Sequence, residues 1–590
     1  MLNSLGYKIS NSDLSTIKIF GREGESLPET VSMSLENQLN EIPIIVKTKP
    51  DGSLESIVFY ATAAKGFKYS DDAFVSYNNY YTNTNSFLLT WGGNNGKRLQ
   101  VIDPPSGDAL NKPTNYIQRE FYVEEFTNAF VGGSGRIWLG NNIFPMNFSP
   151  IILHNLDRSP GNSILYRFNV AHRSSTNGTF KFFDNKKEIG STNIIGDTDK
   201  YTDGFYKIVK LISPANQVSA DDRVWLSISY SNSQPSQATP FFNWYEIHYP
   251  RYLVSINNRV NFFSDPMLEG LTEYNFSNFS GEIIGLDVTD IKNIYQLKNL
   301  SNTGGVFNFK VNLEKNKPRK FIIASEFYVP KLEAIEFVNL RENKFNADLI
   351  VITHPSLLKS ANSYKSYRES KGIYKVTVDQ TNHIFNEFAY GVSDPTAIRD
   401  FIANAYANWD VKPKYVLLWG DGHYDYKNIL KLNAINFVPP YESIEPSKNY
   451  FSVTYSFTSD DYFARIIGDD RRIDVSIGRL PIDSPENGDW MVEKIKNYEN
   501  NSSIDQWRTN IILVADDSPQ SGSSSDGAQH TAASERLAKN FISNDFNIKK
   551  IYLPDYPTEN IPNGRRRPRA TEDLVSNINT SGSLILNWIG

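Results

Sequence analysis

The sequence predicts a multidomain protein, with β-rich, sandwich-like modules in front and an incomplete doubly wound α/β part behind. Three observations predict it. Short alternating segments separated by turn residues recur up to about residue 344. From about residue 345 the pattern becomes strand then helix, with near-continuous apolar strands. The closing segment Ser583-Leu-Ile-Leu-Asn-Trp-Ile589 reads as a buried core strand that stops at Gly590. In such sheets the chemistry sits just past the carboxyl ends of strands, so the residues that perform it are expected beyond the last one.

The β-rich segments include Ile17-Lys-Ile-Phe20, Glu55-Ser-Ile-Val-Phe-Tyr60, Phe87-Leu-Leu-Thr-Trp91, Ser163-Ile-Leu-Tyr-Arg-Phe168, Arg223-Val-Trp-Leu-Ser-Ile-Ser-Tyr230 and Gly281-Glu-Ile-Ile-Gly-Leu-Asp287. Asn, Gly, Ser and Asp clusters part them, and Asp103-Pro-Pro-Ser-Gly-Asp108 marks a boundary. The expected organisation is a small β-rich module at 1–110, a sandwich-like module at 111–344, a first α/β subdomain at 345–505 and a second at 506–590. In the α/β part, strand 348–353 precedes a helix to Ser370, and strand 374–378 follows. Asp394-Pro395 opens a helix, with Asp as N-cap, whose stripe is Ile398, Phe401, Ile402 and Ala405. Strands 414–419, 474–477, 510–514 and 549–553 alternate with helices from Ser484-Pro485 (Met491, Ile495 and Tyr498 inward), over 528–542 and over 571–578.

Composition narrows the function. Of 590 residues, 40% are hydrophobic and 21% charged, ordinary for a globular protein. The net charge of −6 argues against a nucleic-acid partner. No apolar run reaches the roughly 18–20 residues that span a bilayer, so no transmembrane segment is expected. The N-terminus lacks a basic n-region before Lys8 and an apolar h-region. Read literally this is cytoplasmic, yet the first residues read as mid-domain, as in a chain whose leader is missing. With no cysteine, disulfides, thiolate metal sites and an internal thiol nucleophile are excluded from these residues.

Carboxylates gather at strand ends: Asp421 and Asp425, Asp460 and Asp461, Asp469 and Asp470, Asp516 and Asp517. Asp is an ordinary turn and cap residue. A set converging on one sheet edge would instead hold a divalent ion such as calcium, with Asp421, Asp425, Asp460 and Asp461 as its ligands, or orient an imidazole. His530, at a helix start, and His423, in a Gly-Asp-Gly loop, read first as cap or core residues. The run Arg565-Arg-Arg-Pro-Arg569 is too short for a nucleic-acid patch and reads as a solvated loop. Gly-x-Ser-x-Gly and HExxH motifs are absent.

The succession Asp394-Pro-Thr-Ala-Ile-Arg-Asp-Phe401, Tyr415-Val-Leu-Leu-Trp-Gly-Asp-Gly422, Thr458-Ser-Asp-Asp-Tyr-Phe463, Asp474-Val-Ser-Ile-Gly-Arg-Leu-Pro481 and Leu584-Ile-Leu-Asn-Trp-Ile-Gly590 resembles the gingipain-type cysteine peptidases, and among them the sortase-like peptidases of type IX secretion. Ser134-Gly-Arg-Ile-Trp-Leu-Gly140 and Tyr552-Leu-Pro-Asp-Tyr-Pro557 fit the same pattern. The resemblance implies a caspase-like peptidase domain whose catalytic histidine and cysteine lie beyond Gly590, so that residues 1–590 are inactive. It implies Asp517 as the acid that orients the histidine, and Asp526 and His530 on the substrate side. It requires no cofactor. It implies secreted cargo with a C-terminal sorting domain and other type IX outer-membrane components as partners, and a place at the cell surface. Two readings of other classes stand beside it. One is a surface binding or scaffold protein with a relic α/β domain; the other is a metal-dependent hydrolase using the Asp cluster, which metal analysis would test.

Overall fold

The structure is a computed structural model and describes residues 2–31, 39–129, 135–198, 202–443, 450–452, 456–501, 505–516, 528–561 and 564–590. The chain divides into two compact units, Met1–Val492 and Glu493–Gly590. Among the described residues no helix is long and apolar enough to cross a membrane.

The first unit is built mainly of antiparallel sheets. Strand Ser163–Arg173 pairs with Thr202–Pro214 on one side and Thr239–Tyr252 on the other, and Asn115–Val123 closes that edge. A second sheet runs Met146–Asn147, Leu226–Asn232, Gly178–Asp184, Lys187–Ile194. Alternation decides how they meet. Ile164, Tyr166, Phe168 and Val170, two apart, share one face. They form one core with Phe180, Phe182, Leu226 and Ile228 of the other sheet. Phe168 and Phe182 stack with centroids 4.5 Å apart. Two inner faces meeting in one core make the expected sandwich, and each large side chain fully buried there contributes about 1.5–3 kcal/mol.

The α/β part of this unit is a parallel sheet in the order Val376–Gln380, Leu349–Thr353, Tyr415–Trp419, Ser476–Leu480. Every residue of Leu-Ile-Val-Ile-Thr353 is buried, as helices on both faces require. In helix Thr396–Asn408 the expected stripe is fully buried. Asp394 caps it, accepting the Thr396 N–H at 2.9 Å. The same carboxylate accepts the Leu27 N–H at 2.7 Å. Residues 27–31 are thereby seated on the α/β part: Leu27 enters its core, and the Arg399 guanidinium donates to the Pro28 carbonyl at 3.0 Å. Another long-range link is strand Tyr450–Ser452, which leaves the α/β part to pair with Thr202–Pro214 at the edge of the sandwich sheet.

The second unit holds a parallel sheet in the order Asn547–Tyr552, Asn510–Ala515, Ile585–Ile589, with helices Gln529–Asn540 and Pro568–Thr580. Two expectations need correction here. The closing strand is not buried: Ile585 is 49% exposed and Trp588 54%. Among the described residues it pairs with Asn510–Ala515 alone. Helix Pro485–Asn500 does not turn Tyr498 inward. Its buried positions are Gly488 and Val492, where a Cβ on Gly488 would lie 2.3 Å from the Ser360 hydroxyl oxygen.

An exposed apolar strand edge templates association. Residues 345–590 expressed alone are expected to bind a hydrophobic dye and to aggregate, and Ile585→Thr with Trp588→Thr to reduce the dye signal. A dye-silent monomer unfolding cooperatively would contradict this.

Candidate functional site

The carboxyl ends of the parallel strands are where the chemistry of an α/β sheet is built. In the second unit three strand ends lie side by side. The Asp516 N–H donates to the Ile589 carbonyl at 3.0 Å, tying the first residue after one strand to the last of the next. Gly590 follows at once, where a Cβ would meet the Asp516 Cβ at 3.1 Å. The His530 ring reaches this rim from the first turn of its helix, and its Nδ1 bonds the Asp516 carbonyl. A carbonyl only accepts, so Nδ1 carries a proton. The rim thus holds a half-buried imidazole, the Asp516 backbone and Gly590. Asp517 and Asp526 lie outside the described residues. On the neighbouring strand, the Tyr552 hydroxyl donates to Glu535 Oε1 at 3.0 Å. Hydrogen bonds from Lys550, Tyr552 and Lys539 hold the Glu535 carboxyl down at about 2.

In the first unit the four Asp candidates are placed differently from one another. Asp425 is buried and accepts the N–H groups of Ile429 at 2.7 Å and Leu430 at 2.8 Å, a carboxylate spent on its own turn. Asp460 receives a two-point ion pair from Arg479, Nε to Oδ2 at 2.8 Å and Nη2 to Oδ1 at 2.7 Å. Asp421 is exposed, held by its backbone to Ile482 and Val438. Asp461 opens a short helix and is exposed. The structure does not bring these four together, and among the described residues no group of three or more His, Asp or Glu is gathered as an ion would need. His423 Nε2 donates to the Ala434 carbonyl, 3.0 Å away, within its loop.

Sequence reasoning misses Arg479, although it stands in the segment Asp474-Val-Ser-Ile-Gly-Arg-Leu-Pro481. Its Nη1 donates to the Gly420 carbonyl at 2.9 Å and the Val438 carbonyl at 2.7 Å. One guanidinium thus joins three loops at the carboxyl edge of the first parallel sheet. The only hint in the sequence was an arginine beside a glycine at a strand end, too common a pattern to read.

Residues 342–590, the span of both parallel sheets, match the family model "Peptidase family C25". The resemblance to gingipain-type cysteine peptidases is borne out over that span. Gingipain R2 of Porphyromonas gingivalis (strain ATCC BAA-308 / W83) is 24% identical over 226 residues, 37% of this chain and 26% of that protein.

The fold is similar to that of a solved structure, the dimeric latent PorU from Porphyromonas gingivalis, with a TM-score of 0.73 at 19% identity. The match covers 84% of this chain, so it takes in the β-rich modules as well as the α/β part. The chain spans about half of that protein, 48%.

Proposed function

We propose that this chain is part of a gingipain-type cysteine endopeptidase or transpeptidase that, in the whole protein, removes C-terminal sorting domains from type IX secretion cargo at the cell surface. The observation that supports it most is the C25 match to residues 342–590, the same residues that fold as two parallel sheets. In this reading a thiolate attacks the scissile carbonyl, an imidazole moves the proton to the leaving amine, and the acyl group goes to water or to an amine. Residues 510–590 supply the rim on which those groups stand. Asp517 orients the imidazole, and Asp526 and His530 face the substrate. The 590 residues contain no cysteine, so they do not themselves supply the thiolate.

The test compares two proteins. Residues 1–590 alone should leave a cargo protein bearing a C-terminal sorting domain uncut. The product of the whole open reading frame should cut it and lose that activity to iodoacetamide. An open reading frame without a cysteine, or activity untouched by thiol alkylation, would sink the peptidase reading and leave the surface-binding alternative.

A further inference from the structure

A cavity of about 3110 Å³ opens inside the first unit, between the β-rich modules and the start of the α/β part. Small-molecule sites are typically about 300–1,000 Å³, so this space suits a polypeptide segment. One wall is the stretch 326–337, all but one residue of which lines it. This wall belongs to no helix and no sheet. The Glu326 carbonyl accepts from Arg259 and the Glu336 carbonyl from Asn386. Between them, among the described residues, no backbone group of 327–335 makes a hydrogen bond. Tyr328 is 86% exposed and Val329 77%. The Arg259 guanidinium lies over the Tyr328 ring, 4.0 Å from its centroid, while Val329 is open. A segment outside any sheet, with its backbone hydrogen bonds unmade and an apolar side chain exposed, is one that a docking β-strand can pair with.

Elsewhere in its lining the cavity carries two cations at one aromatic ring. The Arg119 guanidinium lies 3.4 Å from the Phe74 centroid and 5.8 Å from that of Phe263. Lys320 Nζ lies 5.4 Å from the Phe263 centroid. Arg119 Nη1 donates to the Ile117 carbonyl, but its buried Nε has no hydrogen-bond partner. Among the described residues neither cation has a carboxylate within 4.0 Å. Burial pushes Arg119 down to about 10, against the attraction of Asp265 and Glu246, and pushes Lys320 down against that of Glu23 and Glu25. Two desolvated cations without a close anion favour one from outside.

The geometry points to this cavity as a binding cleft for an extended, acid-bearing polypeptide that pairs with residues 327–335 and sets a carboxylate between Arg119 and Lys320. The inference does not depend on the peptidase reading, because no part of the cleft belongs to residues 510–590.

Peptide pools of about twelve residues, long enough to run past both ends of the segment, with Glu, Gln or Lys fixed at the centre, are passed over immobilised residues 1–590. The Glu pool should be retained about tenfold better than the Lys pool, the worth of one charge-assisted contact. Amides of 327–335 should exchange fast in the free protein and slowly with the retained peptides. Arg119→Gln with Lys320→Gln should erase the Glu preference. Val329→Pro, at an exposed position before Pro330, should cut retention of every pool while leaving the thermal midpoint in place. Equal retention of the pools, slow exchange of 327–335 in the free monomer, or a Glu preference that survives the substitutions would overturn the assignment. So would self-association through 327–335, which would make a second copy the occupant.

Discussion

Asp379→Asn is expected to stabilise the protein above neutral pH and to flatten its pH dependence. Asp379 is the last residue but one of strand Val376–Gln380, with its side chain buried. Burial pushes its carboxyl up to about 7, opposed by a hydrogen bond from Thr377 and the charge of Lys365. One carboxylate oxygen has no hydrogen-bond partner. The folded value lies above the unfolded one, so the stabilising contribution is complete below about pH 4 and is lost as pH rises through about 7. A shift of this size corresponds to on the order of 4 kcal/mol between those limits. Asparagine keeps the shape and carries no proton linkage. Denaturant unfolding of both proteins at pH 5 and pH 8 checks it. The native protein should lose about 2–3 kcal/mol relative to the variant between pH 5 and pH 8, and parallel pH profiles would refute the argument.

Asp394→Ala is expected to cost about 3 kcal/mol and to loosen residues 27–31. The carboxylate is fully buried and accepts two N–H groups, from Leu27 and Thr396. The Arg22 guanidinium lies 4.0 Å away and is almost as buried. Alanine would leave two buried donors and one cation without their acceptor, which costs more than the bonds themselves contribute. Equilibrium unfolding measures the loss, and the Leu27 amide should exchange faster under native conditions. A loss below about 1 kcal/mol with unchanged exchange would show that the segment is held by Arg399 and by apolar packing instead.

Much of this molecule was legible one residue at a time. The stripe Ile398, Phe401, Ile402 and Ala405 was readable because a period of 3.6 shows which side of a helix is covered. Leu349–Thr353 was readable because a strand covered on both faces needs no polar alternation. The rim of the second unit was readable for the same reason: strand direction alone places its carboxyl ends. What escaped was every partner chosen over distance. Tyr450–Ser452 looked like irregular loop, and nothing local says that its backbone completes a sheet with residues 202–205. The closing strand looked like core because its residues are apolar, but burial depends on what lies alongside, and among the described residues only Asn510–Ala515 pairs with it. Asp425 and Asp460 looked like a pair of ion ligands because spacing counts carboxylates and not the donors they meet.

Composition and periodicity by themselves determined the order of β-rich modules and parallel α/β sheets and the absence of a thiol from these residues, and the succession of motifs carried the resemblance to gingipain-type peptidases. These are local properties, written in which side chains alternate and which motifs follow one another. The tertiary structure alone decided that Asp394 holds Leu27, that Arg479 joins three loops, and that residues 327–335 face an open cleft beside Arg119 and Lys320. Those outcomes turn on hydrogen bonds and charges that find each other across tens to hundreds of residues, and a linear pattern carries no record of such meetings.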